Sequence, residues 1–396
     1  MMLKKNLLAL AATATLALAA APAHALKIEL INTGGVTEGT DVYKGFKAAA
    51  RFWEQALTND VTLRFEVRYA ALGAGIIGST GSTTNVAYVG DVLTAMKASG
   101  NSRVDQVAAK TLNGSRASGF QGGQAIDALI SAPKADGTGV NTAPLTRVLD
   151  TDAGANNSAF SANTSLMKAL GMAVNYTGAA ATNQRDGAIT FSSNFAFDFD
   201  PTDGIDANKM DFLGVAIHEI GHALGFRSGV DTYDGNTGFT GNLGNFALMS
   251  IWDLFRYSDA SLQQGVRDWG IGGTPYFSLD GKTKYQNNAN FSTGRNFGDR
   301  QQASHWRDSP ANTPQVGVMD PTSGFGQQQE IDSLDLAAFD AMGWNVAYDV
   351  MWKPERRFST AIIESLTTLR IPEPGALALA GLGLLGLGLS RRRKAD

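Results

Sequence analysis

Residues 209–226 read KMDFLGVAIHEIGHALGF, and this stretch decides what kind of fold the chain can form. Its apolar residues recur every three or four positions, which predicts a helix, and Gly225 lies where that helix should end. Inside it, residues 218–222 spell H-E-x-x-H. Because positions i and i+4 share one face of a helix, His218 and His222 can direct both imidazoles at the same metal ion.

A catalytic zinc site needs a third protein ligand and one open position for water. The chain has 4 histidines, and His24 lies in a predicted leader, so His305 is the remaining imidazole. Ser228 occupies the place where a third histidine would follow the motif, and serine is a poor zinc ligand. Asp231 is the alternative ligand if the turn is longer. We favour His305, since a longer loop costs only about 0.6 kcal/mol per doubling of its length.

Other residues match a known family in their order along the chain. The motif is followed by a long insertion, by S-H-W at residues 304–306 and by the methionine of G-V-M-D-P at residues 317–321. This order resembles the leishmanolysin-type metzincins. The resemblance implies zinc ligands at His218, His222 and His305, a catalytic carboxylate at Glu219 and a Met-turn at Met319. The chain differs from that family in having no cysteine, which leaves zinc ligation by histidine untouched.

The patterns along the chain favour the α/β (α+β) class. The resemblance implies a metzincin-like zincin fold: a twisted mixed sheet with the active-site helix in an N-terminal lobe, and a loop-rich C-terminal lobe that ends in a helix. Asp332 or Ser333 should cap that last helix. Strand patterns occur at 26–32, 61–69 and 188–199, and helix patterns at 42–57, 90–99 and 331–342. By analogy with that fold, we expect the strand at 188–199 to form the sheet edge along which an extended substrate lies.

Both ends of the chain carry processing signals. Residues 1–25 have a charged start, an apolar run and an A-x-A site, which predicts a secretory signal peptide rather than an anchor helix. Residues 371–396 combine P-E-P, a Gly/Leu-rich apolar stretch and an arginine cluster. This segment resembles the PEP-CTERM sorting tail, which implies an exosortase partner and export to the cell surface or extracellular matrix of a Gram-negative bacterium. A permanent transmembrane helix is the alternative.

Between these signals we predict a metalloprotease domain at residues 26–350, with a long polar insertion at 228–304, and a linker at 351–370. Tyr257 is a candidate oxyanion helper, although an aromatic residue in an apolar segment usually packs in the core. The loop 231–242 is rich in Asp, Asn and Gly, but it lacks the D-x-[DN]-x-[DN]-G spacing of a Ca²⁺ loop.

The composition argues against one class of function, nucleic-acid binding. The net charge is -4 and no basic stripe is present, so the sequence gives no case for binding nucleic acid. These features predict a secreted zinc endopeptidase that cleaves proteins or peptides. Its single Zn²⁺ would activate a water molecule, and Glu219 would act as general base. The alternatives are a non-enzymatic surface protein with a structural metal site and a zinc hydrolase that acts on a non-peptide bond.

Overall fold

The computed structural model describes residues 25–114, 123–310 and 313–368. Most of the predicted signal peptide and the whole predicted sorting segment, 371–396, lie outside the described residues. Among the residues that are described, no helix has both the length and the apolar character needed to cross a membrane.

Strands and helices alternate along the described residues, which confirms the predicted mixed α/β class. All but three of the strands are two to five residues long. In chain order the strands are β1 (Lys27–Gly34), β2 (Thr62–Ala70), β3 (Gly78–Ser82), β4 (Thr84–Tyr88), β5 (Ala128–Ser131), β6 (Arg147–Asp150), β7 (Ala159–Asn163), β8 (Gly187–Ser192), β9 (Phe197–Asp198), β10 (Met210–Asp211), β11 (Arg256–Tyr257), β12 (Arg267–Trp269), β13 (Tyr276–Phe277), β14 (Glu330–Asp332) and β15 (Arg357–Ser359).

The helices include short single turns as well as two long elements that pack on the main sheet. The α-helices are α1 (Asp41–Ala56), α2 (Val89–Ser99), α3 (Arg103–Ala108), α4 (Ala155–Ser158), α5 (Thr164–Ala169), α6 (Ala179–Asn183), α7 (Phe212–Leu224), α8 (Val230–Gly235), α9 (Asp259–Leu262), α10 (Ser333–Met342) and α11 (Thr360–Thr368). Three 3₁₀ segments add to them: Pro201–Asp203, Leu243–Asn245 and Ile251–Phe255.

The main sheet has four strands in the order β1-β2-β8-β3. The first three are parallel, and β3 runs antiparallel to β8 at the sheet edge. This order corrects the prediction that residues 188–199 form the edge along which substrate lies. β8 is hydrogen-bonded on both sides, and a turn separates it from β9. The edge strand is β3, which comes from a Gly/Ser/Thr-rich segment without apolar alternation.

Helix α7 forms where the sequence predicts it. The Asp211 side chain accepts a hydrogen bond from the Gly214 amide at its start, and Gly225, with φ 125°, ends it. The helix packs closely on α1, because a Cβ on Gly45 would meet the Phe212 ring at 2.3 Å. Trp53 of α1 donates its indole N–H to the carbonyl of Ile217 at 3.1 Å. These contacts fix the helix that carries the H-E-x-x-H motif.

The other predicted elements are also confirmed, within a few residues at their ends. β1, β2, α1 and α2 lie at the predicted positions, and α10 occupies most of the segment predicted as the last helix. Asp332 caps α10, as one of the two predicted alternatives. Part of the predicted linker at 351–370 is ordered, since β15 pairs with β14 and α11 follows it.

The insertion at 228–304 is much less polar in structure than its sequence suggests. Trp252, Phe255 and Trp269 are each 0% exposed and belong to the same continuous core as α1 and α7. In the sequence of the insertion, these apolar residues are separated by irregular polar turns. No helical or strand periodicity therefore predicts their burial. The insertion therefore packs as part of the protein interior and positions the segment that follows it.

Candidate metal centre

Three imidazoles converge in a cleft beside α7. His218 and His222 lie one turn apart on that helix, and His305 reaches them from the end of the insertion. The Nε2 atom of His222 lies 3.0 Å from that of His218 and 3.1 Å from that of His305. The Nε2 atoms of His218 and His305 are 3.3 Å apart. The structure thus brings together the three histidines that the sequence analysis singled out.

The hydrogen bond at Nδ1, the ring nitrogen that faces away from the cluster, determines where each imidazole carries its proton. Each Nδ1 lies within hydrogen-bond distance of a backbone carbonyl, which can only accept, so Nδ1 bears the proton and Nε2 has a free lone pair. The three pairs are His218 with Val318 at 2.7 Å, His222 with Phe226 at 2.6 Å, and His305 with Gln302 at 3.2 Å. Three lone pairs therefore face one another, which is unfavourable without a cation between them.

This geometry fits a zinc ion. Nitrogens bound at 2.0–2.1 Å in tetrahedral geometry would lie about 3.3–3.4 Å apart, close to the spacing found here. Burial, followed by the nearby His218, lowers the pKa of His222 to about 3. Burial also lowers the pKa of His305 well below its ordinary value. Both rings are therefore neutral near pH 7, as metal ligands must be.

Glu219 lies beside the cluster and is held by the edge strand. The hydroxyl of Thr80 on β3 lies 2.6 Å from Glu219 Oε2, and a Cβ on Gly78 would lie 2.5 Å from Oε1. Burial raises the pKa of Glu219, while the neighbouring His218 and the Thr80 hydroxyl lower it. Thr80 was not predicted from the sequence, because nothing in the segment GSTGS at residues 78–82 marks it as functional.

Asp231, the alternative third ligand, has a different role in the structure. Its carboxylate accepts hydrogen bonds from the backbone N–H groups of Ala303 at 2.6 Å and Ser304 at 3.1 Å, and from the Ser304 hydroxyl. Burial raises its pKa to about 6. Asp231 does not belong to the histidine cluster. It braces the residues immediately before His305, so its place in the structure is that of a supporting residue beside the favoured ligand.

Met319 lies under α7, against Gly221. A Cβ on Gly221 would be 2.7 Å from the Met319 sulfur, so the glycine allows the methionine to approach the helix. Asp335 holds this turn by accepting from the backbone N–H groups of Val318 at 2.8 Å and Met319 at 3.3 Å. It also accepts from the indole of Trp306 at 2.9 Å, which ties the turn to the neighbour of His305. The sequence offered one signal for Asp335: it is an acidic residue three positions after the predicted cap Asp332, the spacing of a capping box.

The structure also places two weaker candidates from the sequence, Tyr257 and the loop 231–242. Tyr257 is 4% exposed, lies under the Arg267 guanidinium at 5.6 Å and does not line the cleft, so it packs in the core as an aromatic residue of an apolar segment usually does. The segment 231–242, which lacks the spacing of a Ca²⁺ loop, begins inside α8. Its Asp234 carboxylate accepts the backbone N–H groups of Asn296 and Phe297.

A cleft of about 870 Å³ lies over the histidine cluster. Its walls are the β3 segment, the histidine face of α7 and the loops around residues 300–305 and 320–323. Because β3 pairs only with β8 in its sheet, its other edge is available to an extended chain within the part of the protein that is described. The cleft thus combines a free strand edge, a buried carboxylate and three converging nitrogens.

Comparison with known proteins identifies one segment of the chain. Residues 370–394 match the PEP-CTERM protein-sorting motif. The motif indicates a protein that is exported, recognised by an exosortase-type enzyme and sorted to the cell envelope or surface of Gram-negative bacteria. Neither the curated proteins nor the solved structures include a match to the chain. The sorting motif concerns the destination of the protein and not its chemistry.

Proposed function

We propose that this exported protein is a zinc-dependent endopeptidase. The observation that carries the proposal is the convergence of three Nε2 lone pairs, each set by a backbone carbonyl that holds the proton on Nδ1. His218, His222 and His305 would hold the ion. Three protein ligands leave one position open, which is typical of catalytic zinc, whereas structural zinc normally has four protein ligands.

The side chains around the cluster can perform the remaining chemistry. Bound zinc supplies a Lewis acid and lowers the pKa of a water molecule to about 7. Glu219 follows His218 in sequence and lies beside the histidine cluster. Its carboxylate would take the proton from the attacking water and deliver it to the leaving amine. Thr80 orients that carboxylate through its hydroxyl. Proton transfer of this kind typically contributes about 10²–10⁴-fold to the rate.

The cleft suits an extended peptide. The backbone of β3 can pair with a substrate strand along its free edge, and this pairing would place a peptide bond beside the Glu219 carboxylate. Backbone pairing is insensitive to substrate sequence, so selectivity would come from the side chains at the cleft wall. Arg295 and Arg300 supply exposed positive charge there.

The finer fold assignment is part of the same proposal. A metzincin-like arrangement is supported by the antiparallel edge strand beside α7, by Met319 packed under Gly221, and by α10 after the methionine turn. The rival interpretation, a surface protein with a structural metal, has no use for a buried carboxylate beside an open coordination position.

The test is a casein digest by the purified protein, with its zinc content measured in parallel. We expect one zinc per chain, cleavage that stops when a chelator removes it, and recovery when Zn²⁺ is added back. Bound zinc without cleavage of casein or of a mixed peptide library would favour the structural role. A chain that binds no zinc would reject both interpretations.

A further inference from the structure

A second group of oxygen atoms lies outside the cleft lining, where β6 leads into α4. Asp150 ends β6 and is 8% exposed, and Asp152 follows on the surface. Within the described residues, neither carboxylate pairs with a lysine or an arginine. Burial, and then the charge of Asp152, raises the pKa of Asp150. Two neighbouring carboxylates, one buried and one exposed, therefore have no compensating lysine or arginine among the described residues.

Asn156 points an unpartnered oxygen into this position. Its side chain is 0% exposed, and its Nδ2 donates to Asp150 Oδ2 at 2.6 Å. Because an ionised carboxylate only accepts, this bond fixes which end of the amide faces Asp150. Its Oδ1 has no partner among the described residues. A buried amide oxygen without a partner is rare and calls for an unseen donor or cation.

Two glycines show where the Asn156 oxygen lies. A Cβ on Gly154 would be 2.8 Å from Asp152 Oδ1 and 3.3 Å from Asn156 Oδ1. A Cβ on Gly244 would be 3.1 Å from Asn242 Oδ1 and 3.5 Å from Asn156 Oδ1. The Asn156 oxygen thus lies near the Cβ position of both glycines, together with the Asp152 oxygen at Gly154 and the Asn242 oxygen at Gly244. A side chain at either glycine would press on these oxygens.

We propose that Asp150, Asp152, Asn156 and Asn242 form a binding site for one Ca²⁺ ion. All four offer oxygen, the ligand that this hard cation prefers, and waters would complete its usual six to eight ligands. Mg²⁺ usually keeps several waters and takes one or two carboxylates, so a set of four protein oxygens favours the larger ion. No nitrogen ligand is included, which separates this site from the histidine cluster.

The proposed ion would connect two parts of the protein. Asp150 is the last residue of β6 and Asp152 follows it, whereas Asn242 belongs to the insertion that leads to His305. Tyr233 of α8 lies at the same place, since its hydroxyl is 3.2 Å from Asn156 Nδ2. Calcium at extracellular concentrations would therefore hold the insertion against the segment around α4 once the protein is exported. Extracellular calcium modules typically have a Kd of about 10⁻⁴–10⁻³ M.

The experiment is calcium titration of the zinc-loaded protein by calorimetry, with the thermal midpoint measured as a second readout. We expect one site in that affinity range and a midpoint that rises with calcium. Asp152→Asn tests the site with little risk to folding, because the side chain is exposed and the amide oxygen can still accept from Gly154. This variant should bind calcium at least tenfold more weakly.

Asp136→Asn is the matched control. Asp136 is also exposed and accepts from the backbone of the residue two positions later, at Thr138, but it has no second acidic residue nearby in its turn. The Asp136→Asn variant should bind calcium with the same affinity as the unmodified protein. Absence of calcium binding in the unmodified protein, unchanged affinity in Asp152→Asn, or an equal loss in both variants would overturn the proposal. Zinc content and peptide cleavage report separately on the proposed peptidase function.

Discussion

The hydroxyl of Thr80 lies 2.6 Å from Oε2 of Glu219, so the sheet edge holds the carboxylate of the metal-binding motif in place. The edge strand therefore has two roles in the proposed enzyme. Its backbone offers a free edge to substrate, and its side chains on the α7 face fix the general base and the helix. Ser82 adds to the second role by donating to the carbonyl of His222 at 3.1 Å.

Glu219→Gln should abolish peptide cleavage while leaving zinc bound. The carboxamide has nearly the same shape and can still accept from Thr80, but it cannot take a proton from water. We expect a loss of about 10²–10⁴-fold or more in kcat, with one zinc per chain and an unchanged melting temperature. Activity assays and metal analysis on the same preparation check this. Undiminished turnover would remove Glu219 from the mechanism.

Gly78→Ala should reduce activity through Glu219 without touching the zinc ligands. The new Cβ would lie 2.5 Å from Glu219 Oε1, so the carboxylate has to move away from its position beside the cluster. We expect at least a tenfold fall in kcat with zinc retained. Gly81→Ala is the matched control on the same strand, since its Cβ would meet only the Ala188 carbonyl oxygen at 3.9 Å. Equal effects of the two substitutions would show that strand geometry, rather than Glu219, is responsible.

The positions of His218 and His222 were predictable because helix periodicity alone places them on one face. His305 was harder, since its prediction rested on the scarcity of histidine and on a resemblance. The structure shows what holds the ring of His305 in place. Trp306 is 0% exposed in the core, and Asp231 holds the backbone of Ala303 and Ser304, so the ring of His305 is fixed from both sides.

Other parts of the site could not be predicted, because their roles depend on pairing between distant segments. The residues of β3 are small and polar, and only their pairing with β8 makes them an edge strand. The expectation that 188–199 forms that edge rests on the fold analogy. Periodicity does not test it, because periodicity shows which face of a strand is buried but not which strands are its neighbours. Asp335 likewise has the sequence context of a simple helix cap, yet its carboxylate organises the turn at Met319.

His305→Ala should lose zinc, whereas Asp231→Asn should keep it with reduced affinity. Removing the imidazole takes away one of three ligands. Changing Asp231 removes one acceptor for Ser304 and loosens the loop without removing a ligand. Supporting groups of this kind typically change metal affinity by about 10–100-fold. Zinc competition with a chromophoric chelator measures both constants. Loss of zinc in the Asp231 variant alone would assign the ligand to Asp231.

Met319→Ala should lower stability and loosen the histidine cluster. Met319 is 0% exposed and packs against Gly221, which lies between His218 and His222 in the sequence. Truncation of Met319 therefore leaves a cavity under the helix. Comparable core truncations cost about 2–5 kcal/mol in the free energy of unfolding. Met351→Ala, at a half-buried position, should cost less. Urea unfolding of the two variants and their zinc affinities check this. An equal or smaller loss for Met319 would contradict a packing role.

Asp340→Asn should stabilise the protein at alkaline pH and have little effect in acid. Asp340 is 1% exposed, and its Oδ1 has no partner among the described residues. Burial, and then the charge of Asp105, raises its pKa from 3.8 to about 8. The folded state therefore binds the proton more tightly than the unfolded chain. This contribution to stability is complete below pH 3.8 and is lost progressively as pH rises to about 8.

The asparagine variant carries no such proton, so its advantage over the unmodified protein should grow between pH 5 and pH 8 and then level off. Each pH unit in that window corresponds to at most about 1.4 kcal/mol. Free energies of unfolding from urea titrations at pH 5, 7 and 9 test the slope. Asp203→Asn, at an exposed position, controls for the change in net charge. A pH-independent difference between the Asp340 variant and the unmodified protein would mean that this carboxyl does not titrate with a raised pKa, because only linkage to its proton gives the difference a slope.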